Sequence, residues 1–200
     1  MIEIKDKTKC CGCFSCKNIC PQNAISMVED EYGFKYPNIN YNICTNCGLC
    51  EKVCPIINKK QESSENSRAY AAISKNENTR MKSSSGGMFS IIAENIINEG
   101  GIVYGAQFNE KFLVEHSRAE TIEEISKFRG SKYVQSDINK IFKEVKKDLI
   151  QGRKVLFTGT PCQVEGLISF LIKPFDNLYT QDFICHGVPS KKVWEKYLEY

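Results

Sequence analysis

The sequence predicts a small cysteine-stapled α+β domain followed by a larger α/β domain whose sheet is mixed and partly parallel. Three observations predict this. Nine of the eleven cysteines fall in residues 1–57. The stretch from Asn58 to Ser67 contains no apolar residue, as expected of a solvated linker. The last third of the chain reads strand, helix, strand, which implies parallel neighbours joined by a right-handed crossover. The expected boundaries are 1–57 for the first domain, 58–68 for the linker and 69–200 for the second domain.

In the first domain, Cys10, Cys13, Cys16 and Cys20-Pro21 recur as Cys44, Cys47, Cys50 and Cys54-Pro55, each position offset by 34 residues. This run resembles that of a bacterial-type ferredoxin with two 4Fe-4S clusters. Three thiolates two residues apart wrap three corners of a cubane. The fourth is turned by the following proline toward the other cluster. Cys10, Cys13, Cys16 and Cys54 are thus expected to hold one cluster, and Cys44, Cys47, Cys50 and Cys20 the other. Zinc sites favour two CxxC pairs across a long spacer, a different pattern. The start of the chain has no apolar core of a signal peptide, so an oxidising compartment and a disulfide framework are not expected. Ile25 and Met27, then Phe34 and Tyr36, alternate with polar residues around Gly33 and predict a hairpin over the clusters. Cys11 breaks the spacing and reads as a bystander or a spare ligand. So few apolar residues make a thin core, and metal–thiolate bonds are expected to hold this α+β ferredoxin-like iron-sulfur domain together.

Composition limits the partners. A net charge of +3 and a pI near 8.2 on 200 residues, with Lys and Arg scattered, leave no electrostatic footprint for nucleic acid. No apolar run is long enough to span a bilayer. A cytoplasmic location is expected, with a redox protein or coenzyme as electron donor or acceptor.

Residues 69–74 read as a strand. Ser83 to Gly87 then form a loop that opens a helix, with Met88, Ile91, Ile92 and Ile96 at helical spacing. Residues 101–108 and 112–117 predict a hairpin around Asn109-Glu110, and Thr121 with Glu124 a capping box. A helix is expected from Asp137 to Gly152, with Ile138, Ile141, Phe142, Val145 and Leu149 on one face. Residues 155–158 and 178–184 are the two parallel strands, separated by a helix striped by Val164, Leu167, Ile168 and Leu171. Gly159-Thr-Pro-Cys162 and Cys185-His186-Gly187 each follow a strand's carboxyl end, the edge where open α/β sheets bind ligands. Ser190 caps a last amphipathic helix. That helix reaches Tyr200 with no C-cap and reads as a truncated end.

The order SSGGMFS, RGSKYVQSD, GTPCQVEGL and ICHGVPS after the cysteine repeat resembles the family of coenzyme F420 hydrogenase/dehydrogenase beta subunits. The resemblance implies a flavin-dependent iron-sulfur oxidoreductase with FAD in the α/β domain. It places Ser85, Gly86, Gly87, Lys132, Tyr133, Gly159, Thr160 and Pro161 at the FAD site, while the deazaflavin coenzyme of the family name is not implied for every member. Cys162 and Cys185 read in three ways: ligands of a third 4Fe-4S cluster, buried structural thiols, or a thiol contact to flavin. His186 is a candidate proton donor to reduced flavin, and His116 is assigned no role. The competing function is a non-catalytic electron-carrier or docking subunit of a larger redox complex.

Overall fold

The structure, a computed structural model, describes residues 1–58 and 67–200. Most of the linker expected over 58–68 therefore lies outside the described residues.

In the first lobe each cysteine run is a loop that tightens into a short helix, α1 (Ser15–Ile19) and α2 (Leu49–Lys52), with the hairpin β1 (Ile25–Glu29) and β2 (Lys35–Ile39) between them. The two runs share backbone as well as spacing. Gly12 and Asn46 are left-handed, with φ of 59° and 52°, as are the helix-opening residues Phe14 and Gly48, with φ of 66° and 74°. Phenylalanine pays about 1 kcal/mol or more for that conformation. Its compensation is burial. The Phe14 ring is 3% exposed and belongs to the core of the second lobe, beside Ile138, Phe142, Leu167 and Phe170. The first lobe's own core is thin and is made largely of Ile2, Ile25, Cys16 and Cys54.

The second lobe is a four-stranded sheet in the order β4-β3-β5-β6. β3 (Ile102–Phe108) and β4 (Val114–Ala119) form the expected hairpin; β3, β5 (Val155–Thr158) and β6 (Leu178–Gln181) run parallel. Alternation along the strands covers both faces. Ile102, Tyr104, Val155 and Phe157 face α6 (Ile141–Ile150) and α7 (Pro161–Leu171), together with Phe14. Val103 and Leu156 face α4 (Met88–Asn98) and the turns after α5 (Ile122–Ile125), where Ala93, Ile96 and Phe128 lie. Helix α3 (Glu77–Met81) precedes α4, and α8 (Lys191–Glu199) ends the chain. No helix among the described residues is long and apolar enough to cross a membrane.

Four expectations are corrected. Residues 69–74 form no strand: Tyr70 and Ile73 are exposed, and the segment lies on the glycine loop through a Ser74 N–H to Gly86 O bond of 2.7 Å. The outer edge of β4 is already taken by Asp137, whose backbone bonds Val114 and His116. That pairing, with the Asp137 carboxylate accepting from the Asn139 N–H, also delays α6 to Ile141. β6 stops at Gln181 instead of residue 184, leaving Phe183 and Ile184 exposed. On α7 the buried stripe uses Phe170, and Ile168 is exposed.

Helix α1 lies on α7 at Gly166. Ser15 Oγ donates to the Gly166 carbonyl at 2.6 Å, and a Cβ on Gly166 would stand 2.9 Å from both Cys13 Cβ and Ser15 Oγ. Gly166→Ala is expected to cost about 1–3 kcal/mol in denaturant unfolding of the anaerobic protein, as overpacking does. Phe14→Ala should cost about 3 kcal/mol through its cavity. Phe14→Gly should cost less than Phe14→Ala, because glycine removes the left-handed strain.

Candidate functional site

Two cavities in the first lobe gather the cysteines. One, with about 340 Å³ of empty space, is lined by Cys10, Cys11, Cys13, Cys16 and Cys54 together with Ile2, Phe14 and Met27. The other, about 380 Å³, is lined by Cys20, Cys44, Cys47 and Cys50 together with Met1, Ile25 and Ile39. Each holds three cysteines of one run and the last of the other. Backbone amides already address the sulfurs: Ile2 N–H donates to Cys50 Sγ and Ala24 N–H to Cys20 Sγ, both at 3.2 Å. Among the described residues no three His, Cys, Asp or Glu converge as one metal ion would require. The thiols surround spaces rather than points.

The cavities are not equivalent. The Cys10 cavity is the inner one, because Cys13 Sγ lies 3.2 Å from where a Gly166 Cβ would stand. The Cys20 cavity is the outer one, with Cys47 exposed. Cys162 occupies the first turn of α7, its Sγ 3.1 Å from Thr160 Oγ1. Hydrogen bonding to Cys11, opposed by burial, holds the Cys162 thiol down at about 6, while Cys13, then Cys162 and burial, push the Cys11 thiol up. Cys185 is exposed.

At the carboxyl edge of the sheet three loops meet. Helix α4 runs back along β3 through the Gly100-Gly101 turn, so its start at Gly87 lies at the strand's carboxyl end. The loop reaches this edge by its helix and needs no strand at 69–74. Arg129 ties the second loop to the first by bonding Ser90 Oγ at 2.8 Å and Glu94 at 3.0 Å. The third, Gly159 to Pro161, opens α7 with a Thr160–Gln163 capping box. Ser85, Tyr133 and Pro161 are exposed, Gly86, Lys132 and Thr160 half-buried, and Gly87 and Gly159 buried.

Most of these residues have partners within the chain. A Cβ on Gly86 would meet Ala72 O at 2.6 Å, and one on Gly159 would meet Gln163 Oε1 at 2.9 Å. Lys132 Nζ donates into a cup of backbone carbonyls from Lys127 to Gly130, at 2.9 to 3.1 Å. Burial pushes this ammonium down to about 8. Two groups at the edge remain open. Helix α4 begins without a side-chain cap, and Gln181 Oε1, at the end of β6, is a buried acceptor with no donor among the described residues.

Sequence reasoning missed the network beneath this edge. His116 is buried and stacks on Phe157, with Nε2 donating to the Thr158 carbonyl at 2.9 Å and Nδ1 accepting from Ser136 Oγ at 2.8 Å. Gln163 Nε2 donates to Ser136 Oγ at 2.8 Å, and Gln163 Oε1 accepts from the Thr160 N–H at 3.0 Å. Its neighbours join the lobes: Gln135 Nε2 donates to the Cys11 carbonyl at 3.0 Å, and Asp137 pairs with Lys35 at 2.5 Å. The signal available was the polar run Gln135-Ser136-Asp137 between apolar Val134 and Ile138.

Residues 9–57 match the 4Fe-4S dicluster domain. Residues 69–143 match the N-terminal domain of the coenzyme F420 hydrogenase/dehydrogenase beta subunit. Among curated relatives, a subunit of the F420H2 dehydrogenase of Methanosarcina mazei is 25% identical over 175 residues, covering 82% of this chain and 49% of the relative. The PorD subunit of pyruvate synthase from Thermotoga maritima is 40% identical over 55 residues, 28% of this chain and 52% of the relative. The chain thus spans about half the length of these relatives. A chain of the F420-reducing [NiFe] hydrogenase complex from Methanosarcina barkeri shares the fold, with a TM-score of 0.52 and 22% identity over 65% of this chain and 49% of that one.

Burial holds the folded pKa of His116 down at about 4, against a usual value near 6.5. The unfolded chain therefore binds the proton first, so stability is full above about 6.5 and falls as pH drops toward 4. Unfolding free energy should fall by about 2 kcal/mol from pH 7 to pH 5 through this group. Denaturant titrations at the two pH values check this, and His116→Gln should lose that part of the slope.

Proposed function

We propose that this chain is an iron-sulfur electron-transfer subunit of an oxidoreductase, with Cys10, Cys13, Cys16 and Cys54 holding an inner 4Fe-4S cluster and Cys20, Cys44, Cys47 and Cys50 an outer one. The observation that carries the proposal is the exchange of final cysteines between the two cavities. When bound, each cluster supplies a one-electron redox centre. The chain's own residues exclude water with Ile2, Phe14, Ile25 and Met27 and present amides to the sulfurs, which tunes such centres. The inner site adjoins α7 and hence the carboxyl edge. The outer site opens to solvent, where a redox partner protein or coenzyme docks.

FAD is proposed at the carboxyl edge on the resemblance, supported by two open groups: the uncapped first turn of α4, suited to a phosphate, and the unpartnered Gln181 Oε1. FAD when bound would couple two-electron chemistry to one-electron carriers. The glycines and Lys132 do not require it, since the chain itself accounts for them. That observation favours the second reading, an electron-carrier or docking subunit without flavin.

Anaerobically purified protein should contain about eight iron atoms per chain, the content of two cubanes, and give a paramagnetic signal on dithionite addition. Cys13→Ser and Cys47→Ser should each lose about half of that iron. Zinc in place of iron would end the proposal, and about twelve irons would add a third cluster at Cys162 and Cys185. Flavin near one per chain supports the oxidoreductase; iron and sulfide without flavin, even with FAD supplied, supports the carrier.

A further inference from the structure

Among the described residues, Ser15 carries the one hydroxyl within hydrogen-bond reach of a cysteine of either ligand quartet, its Oγ 3.3 Å from Cys13 Sγ. Ser15 is fully buried, and the same hydroxyl donates to the Gly166 carbonyl at 2.6 Å. While Cys13 keeps its own hydrogen, its S–H can donate to Ser15 Oγ and the hydroxyl serves the carbonyl alone. A cysteine bound to iron is a thiolate, so Cys13 then becomes a second acceptor for one hydrogen. The 34-residue repeat supplies the contrast. Cys47 stands where Cys13 does, Gly48 takes the left-handed position of Phe14, and Leu49 replaces Ser15. The outer quartet has amide donors at Cys20 and Cys50 and no hydroxyl at this position.

We propose that Ser15 is a positioning residue for the inner cluster, whose hydroxyl donates to Cys13 Sγ and raises the reduction potential of that cluster. This rests on the cluster assignment above. An electron added to an iron-sulfur centre increases the negative charge on its sulfurs, so a donor there stabilises the reduced form more than the oxidised one. Burial of Ser15 strengthens the preference, because no solvent screens it. Gly166 O competes for the hydrogen, and the charge added on reduction tips that competition toward sulfur. The outer cluster has no such hydroxyl, so the effect belongs to one centre of the two.

The test is a redox titration of the full anaerobic chain with its iron counted, the paramagnetic signals being followed as the potential is lowered with dithionite. Ser15→Ala should move one of the two reduction steps to lower potential and leave the other in place. At a fixed potential about tenfold less of that cluster relative to its oxidised form would be reduced, about 59 mV for one electron. Leu49→Ser should move the other step to higher potential. Iron near eight per chain with neither step moved by Ser15→Ala would overturn the proposal. Equal movement of both steps would overturn it too, since that marks a general loosening of α1 on α7, and so would movement of the same step by both substitutions. Should Ser15→Ala lose iron, Leu49→Ser decides: one step raised supports the proposal, and two unmoved steps overturn it. Unsubstituted protein holding zinc, or no iron, would end the cluster assignment and this proposal with it, and the iron count separates that failure from a failure of Ser15 alone.

Discussion

Everything in this chain is arranged around the seat of α1 on α7. A backbone carbonyl at Gly166 accepts from Ser15, a bare Cα admits the Cys13 side chain, and Phe14 reaches past them into the sheet's core. Only glycine permits this approach, because any Cβ would meet side chains that cannot withdraw without moving the cysteine loop. The inner cavity owes its position beside the carboxyl edge to this contact. The left-handed Phe14 records its cost, which burial of an aromatic ring offsets.

The two halves of the cysteine repeat show how packing breaks a sequence symmetry. Gly48 takes the left-handed position freely in the outer half, while Phe14 takes the same position under strain in the inner half. The inner loop packs on α7 at Gly166, and the outer loop leaves Cys47 exposed.

Much of this was legible in the sequence. The cysteine spacing foretold which thiols would share a cavity, because ligand runs fix local backbone whatever surrounds them. The hairpin around Asn109, the Thr121 capping box and the parallel β5–β6 pair also follow from local pattern. The failures were tertiary. Residues 69–74 have a strand's composition, yet Ser74 pairs with the glycine loop at Gly86 and not with the sheet. His116 carries no local sign of a role, because its partners Ser136 and Thr158 are 20 and 42 positions away. The close approach of Gly86 to Ala72 and of Gly159 to Gln163 is set by the fold, and no local pattern announces it.

Phe14 has one more implication. A side chain from the first 20 residues completes a core whose other members come from beyond residue 100, so peptide connectivity is not what unites the halves. Expressed as separate polypeptides, they would be fragments that complement one another, each missing surface that only its counterpart supplies.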